Sequence, residues 1–185
     1  MDIMNTGSEF LKTSIARLKY YKDLSEKAFA QLSEEDFHYQ PNSESNSIAV
    51  IIQHMSGNML SRWTNFLSED GEKEWRTRDD EFEEHIYNKQ QLMKIWEDGW
   101  KCFLDALEGL KENDLVKNVM IRNEPLSVID AIIRQVAHYT YHIGQIIYIG
   151  KILRDKDWKS LSIPRNHSAQ YNKSDSIKDP AKKFK

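Results

Sequence analysis

His138 and His142 stand four residues apart in Gln135-Val-Ala-His-Tyr-Thr-Tyr-His-Ile-Gly-Gln145, a stretch whose apolar residues recur with helical spacing. On a helix, side chains at i and i+4 are stacked neighbours about 6 Å apart, so two imidazoles there can hold one metal ion without distorting the backbone. A third histidine from another helix would complete a set of three neutral ligands. That set leaves a coordination position open and keeps the ion's full +2 charge available to acidify whatever binds there. The competing reading makes the pair buried polar residues bonded to glutamine or backbone, and spacing alone does not separate the two.

The element carrying the pair runs from a start at Ser127 and Asp130 to about Leu153, and Asp130, Arg134 and Lys151 are its only charges. Ile129, Ile132, Ile133, Val136, Thr140, Ile143 and Ile147 form one stripe, with the two histidines nearly opposite and Gln135 and Gln145 nearby. So few charges imply burial on more than one side, one towards a core and one towards a second surface such as a dimer partner. An earlier helix, from Asn46 or Ser47 to about Leu67, carries His54. Its apolar face is Ile48, Ile52, Met55, Met59, Trp63 and Phe66, and opposite lie His54, Gly57, Asn58, Ser61 and Asn65. A polar face without Lys or Glu suits an enclosed surface rather than an open one.

Two further helices complete the set. Thr6 and Glu9 make a capping box before a helix over about 8–31, followed by one short turn capped at Ser33. Asn88 with Gln91 caps a helix whose Leu92, Trp96, Trp100, Phe103 and Leu107 form a single stripe. Residues 119–125 read as either a small hairpin or an irregular crossover. Four helices of about 20 residues without a convincing sheet predict an all-α fold, a four-helix bundle with long connections of roughly 20 and 17 residues.

The stretches Ser47-Ile-Ala-Val-Ile-Ile-Gln-His54-Met-Ser-Gly-Asn58 and His138-Tyr-Thr-Tyr-His142-Ile-Gly-Gln145-Ile resemble the DinB/YfiT-like superfamily, over about residues 8–155. The resemblance implies a four-helix bundle, usually dimeric, holding a divalent metal (Zn, Ni or Mn) through His54, His138 and His142. It implies a metal-dependent enzyme acting through an activated thiol or water, either a transferase using a low-molecular-weight thiol of the bacillithiol type or a hydrolase. The alternative from another class is a non-catalytic metal-binding stress-response dimer. The segment Trp75-Arg-Thr-Arg-Asp-Asp-Glu-Phe82 resembles an uncharacterised branch of the superfamily, from which no activity can be carried over.

Asn58 and Ser61, one and two turns beyond His54, either contact ligand or substrate or belong to a hydrated face. Arg76 and Arg78, with Asp79 and Glu81, either form a lid that clamps a substrate carboxylate beneath Trp75 or are a hydrated connection. No catalytic base stands out. Cys102 reads as a small packed hydrophobe. A ferritin-like di-iron centre is excluded, because it needs Glu-x-x-His on two long helices and the one such motif, Glu35 to His38, falls on a short turn.

Of 185 residues, 26 are Lys or Arg and 29 are Asp or Glu, for a net charge of −3. Residues 159–185 carry seven basic and two acidic side chains, +5, so 1–158 carry −8. An acidic body argues against a nucleic-acid face, and the basic remainder reads as a loosely ordered tail. The longest aliphatic run, Ile48–Ile52, is far below the roughly 20 residues of a membrane span. Residues 1–9 show no basic segment followed by an apolar one, and a single cysteine rules out an internal disulfide, so a cytoplasmic protein acting on a small molecule is expected.

Overall fold

The computed structural model describes residues 6–185; the first five residues, on which the expectation about a leader partly rests, lie outside the described residues. Four long helices dominate: α1 (Thr6–Phe29), α2 (Ile48–Trp63), α3 (Lys89–Gly109) and α4 (Val128–Arg154). A two-stranded antiparallel hairpin, β1 (Asn118–Ile121) and β2 (Glu124–Ser127), precedes α4, and a short α5 (Ser168–Lys173) follows it. The chain is mostly helical, as the periodicity predicts, and the ambiguous segment before α4 is a hairpin. Its turn puts Arg122 and Asn123 at positive φ, while the Asp70 carboxylate accepts both of their backbone N–H groups.

Helix starts follow the expected caps. Ser47 Oγ accepts from the Val50 amide, Asn88 and Gln91 satisfy each other's amides at 2.9 Å, and Ser127 Oγ accepts from the Asp130 amide. Thr6 is different. It already lies within α1, and the Glu9 carboxylate accepts from Thr13 and Lys185 instead of closing a box. α2 stops at Trp63 rather than near Leu67, because Thr64 is extended and Asn65 turns to positive φ.

α2 is the central helix. Its apolar face packs chiefly on the stripe of α3, and its polar face is covered as well, so Gln53, His54, Ser56, Asn58, Ser61 and Arg62 are all buried. α4 packs on α1 on one side and meets α2 on another. Its inward face is rotated from the expected stripe: Ile132, Gln135, Tyr139, His142, Ile143 and Ile146 point in, whereas Ile133 is 52% exposed. Two contacting neighbours broaden the buried face beyond one isoleucine row, and the polar neighbour α2 draws Tyr139 and His142 inward.

A close approach of α2 and α3 rests on small residues. Ser56 Oγ donates to the Ile95 carbonyl at 2.8 Å, and a Cβ placed on Gly99 would lie 2.9 Å from Ser56 Cα. Backbone cannot yield as a side-chain tip can. Gly99→Ala is therefore expected to destabilise by about 1–3 kcal/mol despite the better helix propensity of alanine, read as a lower midpoint in urea unfolding. After α4 the chain returns along α1, where Arg17 donates two 2.6 Å bonds to Asp179 and Ala181 is buried.

Candidate metal centre

α2 and α4 bring the three histidines together. One ring nitrogen from each lies within 4.8 Å of the other two. His138 Nε2 stands 3.3 Å from His54 Nε2 and 3.0 Å from His142 Nε2. The register between the helices is pinned one turn away, where the Tyr139 hydroxyl donates to Asn58 Oδ1 at 3.0 Å in the core.

The opposite nitrogens of two rings are tied back. His54 Nδ1 is 3.0 Å from Glu81 Oε2, and His142 Nδ1 is 2.8 Å from Gln145 Oε1. A carboxylate and an amide oxygen are acceptors only, so both Nδ1 atoms carry a proton, and in the neutral tautomer this selects each Nε2 presents its lone pair inward. A cation among the three Nε2 atoms satisfies all of them. Nitrogens bound about 2.0–2.1 Å from one ion lie roughly 3.0–3.4 Å apart, so the two short separations fit a shared ion. The donor set, three neutral imidazoles, suits a divalent transition metal rather than Mg²⁺ or Ca²⁺.

The electrostatics favour uncharged rings at His138 and His142. Burial, followed by the neighbouring His142 and His54 and then Arg134 and Arg62, pushes the His138 imidazolium down to about 3. Burial also lowers His142, against the opposing hydrogen bond to Gln145. Glu81 is raised by burial, but the hydrogen bonds from His54 and Arg76 outweigh this and hold its carboxyl below the usual range. The acid touching the centre is thus ionised, and it is neutralised by a guanidinium.

The connection between α2 and α3 supplies that acid. Arg76 Nε and Nη2 donate to the two Glu81 oxygens at 2.7 and 2.9 Å, with side-chain exposures of 2% and 10%. The Phe82 ring lies 4.6 Å from the His54 ring, and the Arg78 guanidinium sits 5.0 Å from Phe82. Ser61 Oγ donates to the Gly71 carbonyl at 2.7 Å and accepts from the Lys73 amide at 3.2 Å, holding the start of the connection on α2.

The residues singled out beside the histidines therefore occupy different places. Asn58 bonds Tyr139, Ser61 bonds the connection, and Arg76 is paired with Glu81, the neighbour of His54. Arg78 remains half exposed, stacked on Phe82, and Trp75 is mostly exposed. Cys102 is partly buried with Thr64 Oγ1 at 3.5 Å. The role of Glu81 escaped sequence reasoning, whereas a glutamine partner for the pair was one of the two readings, with Gln135 and Gln145 both near it. Gln145 carried a usable signal, its i+3 spacing from His142. Glu81 carried none, being 27 residues from its partner in an irregular segment.

Among the described residues, no helix is long and apolar enough to cross a membrane. No curated protein matches the chain. A family model described as "Protein of unknown function (DUF1572)" matches residues 5–167, most of the length and all three histidines, and the chain belongs to that family.

Proposed function

We propose that this protein binds one divalent metal ion through His54, His138 and His142 and is a metal-dependent enzyme of the DinB/YfiT-like four-helix-bundle type. The observation that carries the reading is the convergence of three Nε2 atoms with two of the opposite Nδ1 atoms bonded to acceptor oxygens. When bound, the ion supplies the Lewis acidity that favours the thiolate of a low-molecular-weight thiol or the deprotonation of water at neutral pH. The protein's own groups orient the imidazoles, disfavour the charged form of His138 and His142, and exclude bulk water from two of the three rings.

The substrate is taken to be a small molecule; a cleft of about 450 Å³ between residues 41–46 and α4 adjoins the centre through Gln145, with none of the three histidines lining it. Gln145, which bonds His142, lines it together with Ile51, Tyr141 and Tyr148. A second copy of the chain is proposed to cover the outer face of α4 beside that cleft, where Ile133 is exposed and open space surrounds Gly144. A solution mass of two chains at micromolar concentration is expected; a monomer would remove this part of the reading. Cys102 as the sole thiol accords with a reducing, cytoplasmic setting.

Purified protein is expected to hold close to one equivalent of Zn²⁺, Ni²⁺ or Mn²⁺ by elemental analysis. The loaded protein is expected to turn over a member of a panel pairing small thiols with electrophiles, or of an ester and amide panel. Tight stoichiometric metal without any turnover would favour the non-catalytic alternative. Absence of binding would sink the metal reading itself.

A further inference from the structure

Glu81 reaches His54 across the backbone of α2, and it does so at Gly57. A Cβ on Gly57 would lie 2.1 Å from Glu81 Oε1 and 2.7 Å from its Cδ. Gly57 lies three residues after His54, so the missing side chain leaves a notch beside the imidazole into which the carboxylate fits. There the carboxylate is held from both ends, by His54 Nδ1 at 3.0 Å and by the Arg76 fork at 2.7 and 2.9 Å. Phe82, the next residue, lies against the same ring. Burying an arginine and a glutamate beneath an irregular connection incurs desolvation that a surface ion pair avoids. A glycine inside a central helix is a further weakness.

We propose that Glu81 is a positioning residue for metal capture, and that residues 76–82 and the metal centre close on each other as one unit. This rests on the metal reading above and adds a component to it. By accepting the Nδ1 proton, Glu81 holds His54 in the tautomer and orientation that turn Nε2 inward, and a carboxylate there raises the basicity of the ring as a ligand. Arg76 keeps the carboxylate aimed, and Gly57 gives it room. Because coupling is reciprocal, whatever factor the closed connection adds to metal affinity, bound metal adds to closure of the connection.

The test measures metal affinity by competition with a chromophoric chelator in wild type, Glu81→Gln, Glu81→Ala, Arg76→Met and Gly57→Ala. It also follows amide hydrogen exchange over residues 76–83 with and without Zn²⁺. Glu81→Gln keeps an acceptor and is expected to weaken binding by about 10-fold; Glu81→Ala and Gly57→Ala are expected to weaken it by about 10- to 100-fold. Gly57→Ala discriminates best, since it leaves the ligand and the acid in place chemically, crowds the carboxylate out of its notch and improves helix propensity. A merely structural role for Glu81 would leave its metal affinity at the wild-type level. Zn²⁺ is expected to slow exchange over 76–83 in wild type and not in Glu81→Ala. If wild type binds metal and the variants match it, this inference falls while the metal reading stands. If wild type binds none, both fall.

Discussion

Replacing His138 with alanine is expected to take the protein from near-stoichiometric metal to none detectable after dialysis. His138 Nε2 is the shared neighbour, 3.0 Å from His142 and 3.3 Å from His54, so its removal leaves two nitrogens and no three-sided pocket. Structural zinc sites with four ligands bind with about 10–16 kcal/mol, which places one ligand near 3–4 kcal/mol, roughly a 10²- to 10³-fold loss of affinity. His54→Ala and His142→Ala should lose as much, and unchanged metal content in all three variants would remove the centre altogether. Thermal unfolding offers an independent readout: added metal should raise the midpoint of wild type and leave His138→Ala unmoved.

The same variant has an opposite signature without metal. His138 is held down to about 3 in the folded chain against an ordinary 6.5, so between those values the unfolded chain binds a proton that the folded chain refuses. Its contribution therefore lowers the stability of the metal-free wild type as pH falls from about 6.5 towards 3. In His138→Ala that contribution is absent. Urea titrations at pH 7 and pH 5 with a chelator present should show a smaller acid loss in the variant, and an equal loss would contradict the assignment of burial as the cause.

The second large effect is expected at Tyr139, which is fully buried between the centre and the aromatic core. Its ring makes edge contacts with Trp100 and Phe103 at centroid separations of 5.9 and 5.1 Å, and its hydroxyl donates to Asn58. Tyr139→Ala removes the ring, opens a cavity and leaves the Asn58 oxygen without its donor. A large-to-small aromatic truncation costs about 3–5 kcal/mol, and for a chain of this length about 2–4 °C of melting temperature per kcal/mol follows. Tyr139→Phe isolates the hydrogen bond and is expected to cost about 1–3 kcal/mol, because Asn58 stays buried. Since this bond sets the register of α2 against α4, Tyr139→Phe should also weaken metal binding. An alanine variant as stable as wild type in urea would show that the two helices are pinned elsewhere.

The helices were legible because each carries its own local code. Ser47, Asn88 with Gln91, and Ser127 cap where their types and offsets say they should, and Trp96, Trp100 and Phe103 sit on the core side of α3 as their spacing requires. The rotation of α4 was less legible. Its isoleucines surround much of the helix, so periodicity alone does not rank Ile133 below Tyr139 for burial; packing against both α1 and α2 does. Asn58 and Ser61 were visible as an uncharged polar surface beside His54, but whether such a surface faces ligand or protein depends on what covers it. Here Tyr139 and the Gly71–Lys73 turn cover it.

Residue order by itself determined the i,i+4 pairing of His138 and His142, the enclosed character of the His54 face and the predominance of helix, because each depends on contacts within one or two turns. The resemblance of their two stretches implied that His54 joins the pair, where the structure brings its Nε2; tertiary structure alone decided that Arg76 faces Glu81 rather than an outside carboxylate, and that Gly57 is the seat for that acid. The His54–His138 contact spans 84 residues, and Glu81 meets His54, Gly57 and Arg76 through an irregular connection whose path no periodicity encodes.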